Sequence, residues 1–99
     1  MTEKAFYVYI LAKARNSTFY TGVTSDLIKR IWEHKNNINC QFTTTHQVKT
    51  LVYYEIFGNA ESAILREKRL KKYNRTWKMR LIESINPTWS DLYETLAGH

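Results

Sequence analysis

The chain has 99 residues, 43% hydrophobic, with 15 basic against 9 acidic side chains and a net charge of +6. That length suits one domain over 1–99; the absence of a ~20-residue apolar run excludes a spanning helix, and a lone Cys40 excludes an internal disulfide. With no secretory signal in MTEKAFYVYI, the expectation is a cytoplasmic protein with no membrane role, whose charge suits a nucleic-acid partner unless the basic surface is merely well solvated.

Residues 6–12, FYVYILA, predict a buried strand with Tyr7 and Tyr9 on one face and Phe6, Val8 and Ile10 on the other. Residues 13–18 form a turn, and Phe19 to Val23 a second strand, making a hairpin. Gly22 signals a bend or a close backbone approach. Thr24, Ser25 and Asp26 offer capping oxygens for a helix over 27–36. Its apolar stripe is Leu27, Ile28, Ile31 and Trp32, and Arg30 and His34, one turn apart, border that stripe.

Residues 36–50 show little periodicity and read as a long loop. Leu51 to Phe57 is a third strand. Asn59 then caps a helix over 60–72 with a stripe of Ala60, Ala63, Ile64 and Leu70. Glu67 completes this stripe, with Lys71 one turn further on. A carboxylate in a buried register is costly unless paired, protonated or metal-bound. A Glu67–Lys71 or Glu67–Arg30 ion pair is the plain explanation, and a metal ligand or acid the sharper one. Asn74 or Thr76 starts a helix over 76–85 with Trp77, Leu81, Ile82 and Ile85 inward, stopped by Asn86-Pro87. Thr88 or Ser90 caps a short last helix containing Trp89, Leu92, Tyr93 and Leu96, and 97–99 fray.

One Cys and scattered His34, His46 and His99 do not make a zinc set. With three glycines there is no phosphate-binding fingerprint. What remains is two strand tyrosines, a helical Arg30 and His34, and Glu67. Phosphodiester hydrolysis fits that inventory. It needs a group to position water, a cation for the phosphate charge, and a carboxylate for a hard divalent metal. Strand tyrosines alone, however, are usually core.

The ordered set YVY (7–9), YTG (20–22), Arg30, His34 and Glu67 resembles the GIY-YIG nuclease superfamily. LVYYE (51–55), REKRLKKYNRTWK (66–78) and NPTWSDL (86–92) are similar to segments of its small stand-alone bacterial members. Tyr7 stands where the first motif has glycine, and Thr21 where the second has isoleucine; both are scaffold positions. The resemblance implies an α+β fold, a small three-stranded antiparallel sheet flanked by helices. It implies a nuclease that cuts DNA with Mg²⁺ or Mn²⁺ and little sequence specificity, selecting DNA structure where it selects at all, in DNA repair or a related process. Tyr9 or Tyr20 would activate or position water, Arg30 stabilise phosphoryl charge, His34 assist, and Glu67 bind the metal. All five are expected to converge on one concave surface, framed by Lys29, Arg66, Lys68, Arg69, Lys71, Lys72 and Arg75 as phosphate contacts. With no separate recognition domain in 1–99, a protein partner is expected to supply specificity. The alternative is a non-catalytic nucleic-acid-binding accessory of the same fold.

Overall fold

The computed structural model describes residues 4–15 and 17–98. Asn16 in the first turn, the first three residues and His99 lie outside the described residues. In chain order the elements are β1 (Phe6–Ala12), β2 (Phe19–Thr24), α1 (Leu27–Lys35), α2 (Gln41–His46), β3 (Thr50–Phe57), α3 (Ala60–Lys72), α4 (Arg75–Ile85) and α5 (Leu92–Ala97). The strands form one antiparallel sheet in the order β2-β1-β3. This is the α+β architecture that the sequence predicts.

β1 is the central strand because its breaker-free run can be covered on both faces. On one face Val8, Ile10 and Ala12 pack with Val52 and Tyr53 of β3, Ala63 and Leu70 of α3, and Ile82 of α4. On the other, Tyr9 and Leu11 pack with Leu27 and Ile31 of α1, Val48 and Leu51, closed by Leu92, Tyr93 and Leu96. Each fully buried aliphatic side chain contributes about 1.5–3 kcal/mol. A bulge keeps both faces apolar: Ile10 pairs with Tyr53 but Leu11 with Leu51, leaving Val52 as the extra residue. Without that insertion, Leu51 would fall out of register with Leu11.

Side-chain caps mark the starts of α1, α3 and α4. Asp26 accepts from the Lys29 N–H, Asn59 from Ser62 and Asn74 from Trp77. The last helix departs from expectation: Asp91, not Thr88 or Ser90, caps it. The Asp91 carboxylate also accepts from the Leu51 N–H and from Lys35 at 2.5 Å, so one side chain ties α1, β3 and α5 together. Helicity runs through Ala97, where fraying was expected.

The largest correction concerns residues 36–50, which contain α2 rather than loop alone. QFTTTH has no apolar stripe, so periodicity carries no sign of it. Tertiary contacts supply its stability, with Thr43 buried against α1. Asn37 and Asn39 take left-handed φ values of 59° and 52°, folding the chain back. The expected stripes also shift. In α1 the buried residues are Leu27, Ile31 and His34, while Ile28 and Trp32 are exposed. Ile64 of α3 and Trp77 and Ile85 of α4 are likewise exposed. In each helix the spacing is right, but the stripe is narrower than the number of apolar residues suggests. Among the described residues, no helix is long and apolar enough to cross a membrane.

Candidate active site

Tyr9 sits at the middle of β1, opposite Gly22 of β2, with its ring directed into the face that α1 covers. Gly22 is required there by close approach. A Cβ at this position would lie 2.5 Å from the Tyr9 Oη and 3.0 Å from the Tyr20 ring. Tyr20 pairs with Leu11, which places it on the same face as Tyr9. The rings of Tyr9 and Tyr20 stand 6.2 Å apart, and that of Tyr20 is 5.3 Å from His34.

His34 is fully buried and lies in the apolar stripe of α1, not beside it. Its neighbours fix its tautomer. The Thr43 hydroxyl donates to the Cys40 carbonyl at 3.2 Å, so its oxygen is left to accept from His34 Nδ1–H at 2.8 Å. Nε2 is therefore the bare nitrogen, and it accepts the Tyr9 O–H at 2.9 Å. Burial, then the charge of Arg30, pushes the His34 pKa down to about 4, with Glu33 opposing. A neutral ring at pH 7 agrees with Nε2 acting as acceptor. Burial, then Tyr20, holds the Tyr9 phenol well above the usual tyrosine range, while Arg30 pulls the other way.

Arg30 is half-buried at the rim. One nitrogen donates to Glu33 and the other to the Asn39 carbonyl, both at 2.9 Å. Burial works against its charge, but Glu33 and then Tyr9 raise its pKa. Tyr20, Arg30, His34 and Thr43, with Asn39 to Phe42, line a cleft of 190 Å³. Four of the five expected side chains thus come together.

Glu67 does not join them. It lies between Ala63 and Leu70 on the stripe that α3 packs against Val8 and Ile10, on the opposite face of the sheet from Tyr9. Its carboxylate pairs with Lys71 at 2.6 Å, the side chains being 13% and 55% exposed. Among the described residues, no cluster of three or more His, Cys, Asp or Glu suits a metal ion.

The expected phosphate contacts divide in the same way. Lys29 is exposed on α1. Lys68, Arg69 and Lys72 are exposed on α3, and Lys71 pairs with Glu67. Arg66 is held by Glu55 through three hydrogen bonds, and Arg75 bonds the Ser17 carbonyl and lies over the Phe19 ring. Among the described residues, only Arg30 brings a cation to the cleft wall itself. The sequence reading missed Glu33, Asn39 and Thr43, which orient Arg30 and His34. The one signal available was the asparagine run at 36–39, a residue type that tolerates left-handed turns.

The sequence model of the GIY-YIG catalytic domain matches residues 5–81. The UPF0213 protein CPE1444 of Clostridium perfringens is 42% identical over 78 residues, covering 79% of this chain and 83% of that protein. The UPF0213 protein SSP2268 of Staphylococcus saprophyticus is 36% identical over 76 residues, covering 77% and 92%. In three dimensions the chain is similar to the solution NMR structure of the UPF0213 protein BH0048 from Bacillus halodurans. The TM-score is 0.55 at 27% identity, over 91% of this chain and 95% of that one. With its paired tyrosines, helix arginine and three-stranded sheet inside the matched span, the chain belongs to the GIY-YIG catalytic-domain family, a family of nucleases.

Proposed function

We propose that this protein hydrolyses DNA phosphodiester bonds with Mg²⁺ or Mn²⁺, choosing DNA by structure more than by sequence. The observation that carries this reading is the buried hydrogen-bond chain of Tyr9, His34 and Thr43 behind a cleft walled by Tyr20 and Arg30. A fully buried histidine kept neutral, with Nε2 accepting from the phenol, fixes the orientation of the Tyr9 hydroxyl. Arg30, pre-oriented by Glu33 and Asn39, pairs with a non-bridging phosphate oxygen and stabilises the added charge in the transition state. Tyr20 lines the cleft and orients the attacking water. The water's proton leaves to solvent at the cleft mouth, and the Tyr9 hydroxyl, held by His34 Nε2, is a positioning group whose raised pKa argues against a standing phenolate.

The described residues bring no metal site to the cleft: they hold no cluster of three or more His, Cys, Asp or Glu, and Glu67 lies across the sheet, paired with Lys71. Mg²⁺ keeps most of its waters and accepts one or two carboxylates together with substrate phosphate oxygens. Glu67, the carboxylate expected to hold such an ion, would have to release Lys71 and be reached around the sheet edge. When bound, the ion supplies charge stabilisation at the phosphate and leaving oxygen.

A second reading, an accessory module that binds DNA or RNA without cutting, is favoured by one observation: Glu67 lies across the sheet from Tyr20 and is already paired. End-labelled single-stranded, duplex and branched DNA incubated with the protein separates the two. Product with Mg²⁺ or Mn²⁺, and none in EDTA, is expected. Binding without cleavage under every metal condition would establish the accessory reading instead.

A further inference from the structure

Tyr20, Phe42 and His46 form an aromatic row that starts in the cleft and runs out to solvent. The rings of Tyr20 and Phe42 are 5.8 Å apart at 33°, and those of Phe42 and His46 are 4.3 Å apart at 23°. His46 is locked in this stack. Its Nδ1–H donates to the Phe42 carbonyl at 2.9 Å, one turn back along α2. Phe42 lines the same cleft as Arg30, yet it is 44% exposed and belongs to neither core cluster. Its chain neighbours Gln41, Thr44 and Thr45 are polar.

We propose that Phe42, braced by His46, is the stacking platform for an unpaired nucleobase beside the phosphate held at Arg30. An aromatic face one residue from the buried Thr43, next to a cation that suits phosphate, meets both halves of a nucleotide. Base–aromatic stacking tolerates any base because every base has a π-face. Within a paired duplex that face is covered by the neighbouring base pairs, so the platform selects single-stranded, frayed, branched or flipped nucleotides. This inference rests on the nuclease reading above and names the substrate class of the same site.

Equilibrium binding in EDTA tests it with two fluorescent 12-nucleotide strands, oligo-dT and the same backbone fully abasic. Wild type should prefer oligo-dT by about 5- to 140-fold, the range of one base–aromatic stack. Phe42→Ala should lose most of that preference while binding the abasic strand as wild type does. Phe42→Trp should keep it, and Phe42→Leu, which retains apolar bulk without a π-face, should lose it. Equal loss on both strands, retention in Phe42→Leu, or no change in Phe42→Ala would overturn the platform. Wild-type binding to neither strand would overturn the nucleic-acid reading itself, an outcome distinct from the others. Phe42 is exposed enough that the three variants should fold, and circular dichroism spectra matching wild type verify this.

Discussion

At the scale of single residues, His34 makes a structural and a chemical demand at once. Its depressed pKa means that the folded protein refuses a proton which the unfolded chain accepts. Between pH 6.5 and about 4 the unfolded state binds more protons, so stability is present above this window and drains away as pH falls through it. The contribution of this one group is about 3 kcal/mol. His34→Gln removes the titration, so denaturant unfolding should show it losing less stability than wild type between pH 7 and pH 4, by up to that amount. Equal acid sensitivity of the two would contradict the buried neutral ring. Tyr9→Phe tests the same bond from the other side. It keeps the ring against Leu11 and Ile31 but leaves Nε2 buried without a partner, at a cost of about 1–3 kcal/mol. Thermal unfolding should fall by about 4–8 °C per kcal/mol, and cleavage should drop sharply in the folded protein. An unchanged melting temperature would mean that the phenol–imidazole bond contributes nothing.

At the scale of elements, the hairpin is built around a contact between strands. Gly22→Ala places a methyl group against the Tyr9 hydroxyl and the Tyr20 ring, so both rings must shift. The expected cost is about 1–3 kcal/mol of overpacking, with a loss of cleavage that Gly58→Ala, a substitution into open space, does not share. Comparable activity in the two variants would show that ring placement is not critical. The sequence allowed this hairpin to be read, because strand alternation and a glycine in a strand are local signals. It allowed α1 and α3 to be read too, from spacing and capping oxygens. It did not reveal α2, whose six residues are held by Thr43 reaching His34, a tertiary contact with no periodic trace. It also misjudged His34, because a histidine at a stripe edge and one inside the stripe look alike until the neighbouring helix and sheet are in place. Convergence of all five side chains could not be read either: sheet-face assignment of α3 depends on which face of β1 its small residues fit, and Ala63 and Leu70 fit the face of Val8 and Ile10.

At the scale of the whole molecule, charge and the proposed metal are divided between the two faces of the sheet. Arg30 and Lys29 belong to the cleft side, while Lys68, Arg69 and Lys72 project from α3 on the other. Binding to duplex DNA should weaken with salt, with a log–log slope of about −0.9 per phosphate neutralised, and replacing Lys68, Arg69 and Lys72 by Ala should flatten that slope only if DNA reaches around β2. β2 is one of the two edge strands and α3 packs over β1 and β2, so this edge is the route between the faces nearest α3. A hydrated cation and one phosphate would have to pass around that edge to join Glu67 to the cleft. Glu67→Gln decides whether they do. The Glu67–Lys71 pair is an i,i+4 pair whose lysine is half in water, so its loss should cost only about 0.3–0.5 kcal/mol, far below the ~3–5 kcal/mol of a buried pair broken on one side. The melting temperature should therefore move by less than about 4 °C. If Glu67 holds the ion, cleavage with Mg²⁺ or Mn²⁺ should vanish in this stable, folded variant, because a neutral amide is a poor ligand for a hard cation. Undiminished cleavage would remove Glu67 from the reaction and leave the metal to be held wholly by substrate and water. A loss of many degrees would instead show that the carboxylate is structural, with partners beyond Lys71.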